Sequence, residues 1–126
     1  MSNTVLLVAQ VLAEFLLYDM ARKWFKVGPF YKRLGTVASV APREERRQEI
    51  GSAIRHAVSL YPKHVRCLQQ STAAARILRR NGFAAELVIG CRPEPFMGHA
   101  WVEIENEPFS GPKSFGRRLL ILDRVR

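Results

Sequence analysis

The sequence predicts an α+β domain in which helices come first and a small antiparallel sheet follows, and three observations carry that prediction. Apolar residues recur at helical spacing through most of the chain up to about residue 80. Asn81-Gly82 then breaks the pattern with residues that favour a left-handed helix end. Beyond that break the apolar pattern changes to period two, the mark of strands with two unlike faces. Helices followed by strands, without alternation, give α+β rather than α/β architecture.

Taken in order, residues 4–26 carry apolar side chains almost all round and read as one long buried helix ending before Gly28-Pro29. The basic segment 30–35 can continue helically after that break, and 36–42 is a connection. Pro42 suits the first position of a second helix reaching about Leu60, with Ala41 an imperfect cap. Ile50, Ala53, Ile54, Ala57 and Leu60 give this helix its core-facing stripe. Pro62 ends it. The next helix spans about 65–80, with Leu68, Ala75 and Leu78 on the buried face and Arg76, Arg79 and Arg80 largely elsewhere. Strands are expected over 83–91, 99–105 and 119–125, with a rigid two-proline loop at 92–96 between the first two. The 126 residues suffice for one domain, a helical part at 1–60 and the core at 61–126, and there are no repeats or low-complexity tracts.

The chain carries 20 Lys and Arg against 11 Asp and Glu, a formal charge of +9, which favours anionic partners. The basic residues are dispersed, without aromatic interleaving or zinc-finger spacing, so nucleic acid is not expected. His56 and His64 lack partners at metal-ligand spacing, and no metal is expected. The apolar start is interrupted by Gln10 and Glu14, has no basic side chain before it and no cleavage site after it, so it reads as neither signal peptide nor membrane span. A cytoplasmic protein follows, with contact of the first helix with a membrane surface as the alternative to simple packing. Cys67 and Cys91 would pair only in an oxidising compartment.

Two distant residues stand in matching contexts. Cys67 lies in the first turn of a helix, where free amide donors and the helix dipole stabilise a thiolate. His99 opens a strand in which His99, Trp101 and Glu103 share one face and Ala100, Val102 and Ile104 the other. A thiol and an imidazole so placed are the halves of a nucleophile and base pair, which needs spatial proximity only. The aliphatic face packs on the helices, or Trp101 follows His99 inward toward the Cys67 helix; the pattern permits both.

Arg66-Cys67-Leu68-Gln69-Gln70-Ser71, Ile77-Leu78-Arg79-Arg80-Asn81-Gly82-Phe83, Glu86-Leu87-Val88-Ile89-Gly90 and Phe96-Met97-Gly98-His99-Ala100-Trp101-Val102-Glu103 follow one another in an informative order. Together they resemble the transglutaminase-like cysteine peptidases that process lasso-peptide precursors, over residues 50–110 closely and over the helical N-terminal half more loosely. The resemblance implies a transglutaminase-like or papain-like core at 61–126, with Cys67 as nucleophile and His99 as base. It implies removal of a leader peptide from a ribosomally made precursor, without a cofactor. Some members fuse this domain to a leader-recognition module, for which 126 residues leave no room. The chain thus resembles the split form, whose partners would be the precursor peptide, a separate recognition protein and a lasso cyclase as a further candidate.

One departure stands out. Such sites orient the histidine with a carboxylate on the following strand. If Glu105 and Asn106 turn a hairpin, the residues facing His99 fall near Gly111 and Pro112, where no acid is present. Asp123 is the first candidate third member, a lone acid among Leu119, Ile121 and Val125, against a surface pairing with Arg124 or Arg126. Glu107, Asn106 and Ser110 are alternatives, as is a dyad without a third member. Gln69 and Gln70 are candidates to serve the oxyanion beside the Cys67 amide. Trp101 either contacts substrate or fills the core beneath the site, and Cys91 packs in its strand.

Overall fold

The computed structural model describes residues 2–24, 34–93, 96–105, 107–109 and 120–125. Three helices, α1 (Ser2–Trp24), α2 (Glu44–Leu60) and α3 (Cys67–Arg80), precede four strands, β1 (Ala85–Pro93), β2 (Phe96–Ile104), β3 (Glu107–Pro108) and β4 (Leu120–Val125). The strands form one sheet in the order β3-β2-β1-β4, each neighbouring pair antiparallel.

α3 is the centre of the molecule. Ala73, Ala74 and Ala75 are small enough for neighbours to approach closely, and Ile77 and Leu78 fill the remaining space. α1 and α2 pack on one side of α3 and the sheet on the other. Leu7, Val11 and Phe15 of α1, Ile50 and Ile54 of α2, and Leu87, Val102 and Val125 of the sheet close one core around it. Burying each large aliphatic or aromatic side chain here contributes about 1.5–3 kcal/mol.

Several expectations shift in detail. α1 buries one face only, because it lies on the outside of the helical layer. Val5, Leu6, Leu16, Leu17, Met20 and Trp24 are exposed on it. Among the described residues no helix is long and apolar enough to cross a membrane. α2 begins at Glu44 behind Arg43, not at Pro42, and opens with Glu44 and Glu45 at its positive end. The expected helical continuation at 30–35 lies outside the described residues except for Leu34 and Gly35, which belong to no helix.

α3 ends as the Asn81-Gly82 signal predicts. Gly82 has φ +88°, and a β-carbon there would run into the carbonyl of Val40, its carbon only 2.9 Å away. That close approach belongs to the 36–42 connection, which crosses the helix end and bonds to it through Ala38 N–H to Arg79 O at 2.8 Å. Arg79, expected outside, is buried: its guanidinium donates to Ala85 O and Gly35 O, each at 3.2 Å, joining helix end, first strand and connection. The two-proline stretch forms less loop than expected, since the β1–β2 ladder continues through Arg92↔Met97 to Pro93↔Phe96. The hairpin at Glu105 is present, with Glu105 at φ +54° and β3 folding back on β2.

Candidate active site

Cys67 is the first residue of α3, an exposed free thiol with Arg66 as the preceding cap residue. The first intrahelical bond runs from Gln70 N–H to Arg66 O at 2.9 Å. The Cys67 amide is thus among the first-turn donors that the helix itself does not use. Behind it, Gln69 is 1% exposed. Its Oε1 accepts from Arg66 N–H at 3.3 Å and its Nε2 donates to Phe15 O at 2.9 Å, so the amide is spent on fixing the helix start against α1.

One bond relates this helix start to the histidine strand. Ser71 Oγ, one turn after Cys67 on the same helix face, donates to Ala100 O at 3.0 Å. The Val102 carbonyl, two residues further along β2, accepts from Phe109 N–H at 2.8 Å on the β3 side. Carbonyls two residues apart in a strand point to the same edge. The start of α3 therefore closes the outer edge of β2 where β3 stops.

α3 and β2 run in the same direction, for the far end of the helix meets Ala85, the ladder partner of Ile104. Four residues of helix before Ser71 amount to about 6 Å, or roughly two residues of strand. Cys67 is thereby set level with Gly98, the neighbour of His99. His99 is half-buried and sits opposite Gly90 of β1, which has no side chain to crowd it.

Of the two orientations that the pattern permitted for β2, the aliphatic one holds: Val102 joins the helical core and Ile104 packs against it. On the other face Trp101 is 6% exposed and its Nε1 donates to Glu103 Oε2 at 2.8 Å. Arg124 bridges Glu103 Oε1 at 2.8 Å and Glu86 Oε2 at 3.1 Å, tying β4, β2 and β1 together. The Glu103 bond raises the Arg124 pKa, with burial opposing. Trp101 is thus held in place two residues from His99, and strand alternation gives both side chains the face turned away from the helical core.

Asp123 is in register with Ile89, whose other partner is Ala100, while the His99 row runs through Gly90 to Ile121 across a bulge. β1 lies between Asp123 and β2, a lateral span of two strand spacings, roughly 10 Å. The register leaves Asp123 on the far strand from His99. Glu107 is exposed in β3, paired with Ile104, while Asn106, Ser110, Gly111 and Pro112 lie outside the described residues.

Sequence reasoning passed over one group. Ser71 lay inside a longer motif, and its spacing of four from Cys67 was the available signal. Tyr18 of α1 is 3% exposed, and burial raises its pKa against the lowering influence of Arg66 and Arg22. Nearby, the Tyr61 hydroxyl donates to Asp19 Oδ2, and burial together with that bond pushes its pKa up to about 12.

The chain is 34% identical over 59 residues to the microcin J25-processing protein McjB of Escherichia coli, a stretch covering 47% of this chain and 28% of that relative. The chain thus spans under a third of the relative's length. No solved structure matches it. The model of the transglutaminase-like superfamily matches residues 15–119, from the middle of α1 to the edge of β4. The chain belongs to the transglutaminase-like superfamily.

Proposed function

We propose that this chain is a cysteine peptidase that removes the leader from a lasso-peptide precursor. The observation that supports it most is the Ser71–Ala100 hydrogen bond, which fastens the helix that begins with Cys67 to the strand that carries His99. The similarity to a microcin-processing protein supports the substrate class. In the proposed cycle the Cys67 thiolate attacks the carbonyl at the leader–core junction, and the Cys67 N–H donates to the oxyanion. His99 gives a proton to the departing core amine as the C–N bond breaks, leaving the leader as a thioester on Cys67. His99 then takes a proton from water, whose oxygen attacks the thioester and restores the thiol.

Gln69 has no place in this cycle, because both ends of its amide are engaged. Trp101 acts by packing in its strand rather than by contacting substrate. Asp123 is the first candidate for the orienting acid, and its register offset from His99 favours a dyad without it. The partners on this reading are the precursor, a separate leader-recognition protein and the cyclase that consumes the freed amine. The setting is the cytoplasm.

A second reading is favoured by the absence of an acid at Gly111: a protein of this fold that binds leader through its basic surface without turnover, or that passes the acyl group to an amine. Cleavage of the cognate precursor with its recognition partner, by wild type, Cys67→Ala, His99→Ala and Asp123→Ala, separates these. The peptidase reading expects loss in the first two variants and retention in the third. Undiminished processing by Cys67→Ala would overturn it, and a wild type that binds leader without cutting or transferring would establish the binding protein.

A further inference from the structure

A cleft of about 590 Å³ opens between α2 and the end of β3, lined by Glu44, Arg47, Gln48, Gly51, Arg55 and Phe109. Arg47, Gly51 and Arg55 stand four residues apart, so they share one stripe of α2 beside the buried stripe of Ile50, Ala53, Ile54 and Ala57. Phe109 forms the opposite wall, with its N–H fixed to Val102 O at 2.8 Å. The Arg47 guanidinium lies over the Phe109 ring, 5.7 Å from its centroid, and its Nη2 donates to Phe109 O at 3.5 Å. Glu44 stands 3.9 Å from Arg47 Nη1, a loose and exposed pair at the rim. The Arg55 side chain folds back along α2, so that a β-carbon on Gly51 would lie 3.6 Å from Arg55 Nη1 and 3.7 Å from Phe109 Cζ. Two guanidinium groups thus flank one aromatic ring, over the one residue of α2 that has no side chain.

Nothing in the packing asks for glycine there. Those two distances are ordinary van der Waals contacts, Gly51 is not among the residues with positive φ, and alanine in mid-helix would be the more stable choice. What glycine supplies is the open floor of the cleft. Arg55 takes part in no hydrogen bond or ion pair among the described residues, so its charge is open to a ligand. The cleft also adjoins the candidate active site. Phe109 bonds to Val102 O and Ser71 to Ala100 O, successive acceptors on one edge of β2. The steps from Cys67 to Ser71 and from Ala100 to Val102 run in the same direction and together cover about 13 Å, the length of about four extended residues.

We propose that this cleft is a specificity site for the precursor, taking the carboxylate of one Asp or Glu side chain a few residues from the bond that is cut. This rests on the precursor being the substrate, and it adds a feature that the precursor's sequence must have. Arg55 and Arg47 donate to the carboxylate oxygens, and the ligand's methylene stem lies against the Phe109 ring. Glu44 at the rim disfavours a phosphate, which carries more charge than a carboxylate. The formal charge of +9 draws an acidic peptide to the surface.

The test is fluorescence anisotropy of the fluorescein-labelled cognate precursor, titrated with the full chain carrying Cys67→Ala so that the peptide stays whole. In that background Arg55→Gln, a change at an exposed side chain, should weaken binding about three- to tenfold, the size of a charge-assisted hydrogen bond partly screened by solvent. Gly51→Leu fills the floor with a strong helix former, and should weaken binding at least as much while the unfolding midpoint holds or rises. Arg43→Gln, at the start of the same helix, controls for overall charge and should leave affinity within about twofold. Precursors with each Asp or Glu changed singly to Asn or Gln are titrated in parallel. One of them should bind the Arg55 protein as weakly as the natural precursor binds Arg55→Gln, with no further loss when the two changes are combined.

Unchanged affinity in both Arg55→Gln and Gly51→Leu would overturn the proposal. So would full additivity with every acidic position of the precursor, no binding of the precursor by the Cys67→Ala chain, or a loss seen only toward the recognition protein. Binding is read without cleavage, so failure of the peptidase reading, seen as processing by Cys67→Ala, is recorded separately.

Discussion

Ser71 Oγ donates to the carbonyl of Ala100 at 3.0 Å, and through that bond the helix that begins with Cys67 is fastened to the strand that carries His99. Ser71 lies one turn after the thiol and Ala100 one residue after the imidazole. The bond thus ties the two segments together without involving the side chain of either Cys67 or His99. Ser71→Ala should destabilise the fold by about 0.5–1.5 kcal/mol, checked by urea denaturation. Its effect on precursor cleavage should be larger than that stability loss implies, falling on the turnover rate more than on precursor binding.

Gln69 does comparable work between α1 and α3. Gln69→Leu keeps the volume but leaves the buried Phe15 carbonyl and the Arg66 amide without their partner. A loss of about 1–3 kcal/mol is expected in thermal or chemical unfolding. Retained stability would show that water takes up both groups.

Glu14 is a buried acid in an otherwise apolar helix. It pairs with Arg76 at 2.7 Å and with Arg80, so that α1 and the far half of α3 are joined by charge as well as by packing. Glu14→Gln leaves two guanidinium groups facing a neutral amide. It should cost about 1.5–3 kcal/mol, the range for hydrogen bonds to charged groups, checked by chemical denaturation.

Tyr61 gives the fold a pH dependence at the alkaline end. Its pKa is raised from 10.0 to about 12, so the native state holds the phenol proton more tightly than the unfolded chain does. The associated stability is whole below pH 10 and is lost as pH rises from there to about 12. Unfolding midpoints measured across that window should fall in wild type, and fall less steeply in Tyr61→Phe.

Much of the fold was legible because local signals and tertiary demands agreed. The Asn81-Gly82 break, the stripe Ile50, Ala53, Ile54 and Ala57, and the alternation in β2 all appear where the pattern puts them. The burial of α1 was misread, since a helix apolar all round carries no sign of which face its neighbours take. Arg79 was misread for a related reason: a charged side chain at a helix end reads as solvated, yet here it satisfies two carbonyls where three segments converge. For the site, the motifs around Cys67 and His99 were plain, and Ser71 was not. A hydroxyl that acts through one contact made in three dimensions leaves no periodic trace in the chain.

The account turns on whether Cys67 forms the covalent bond to the leader. Intact-mass spectrometry of the protein, quenched in acid during turnover of the cognate precursor with its recognition partner, measures this directly. The account predicts a transient adduct of the leader's acyl mass on the Cys67 peptide, released by hydroxylamine and absent in Cys67→Ala, which also fails to cleave. Full cleavage by Cys67→Ala, with no adduct in wild type, would contradict it.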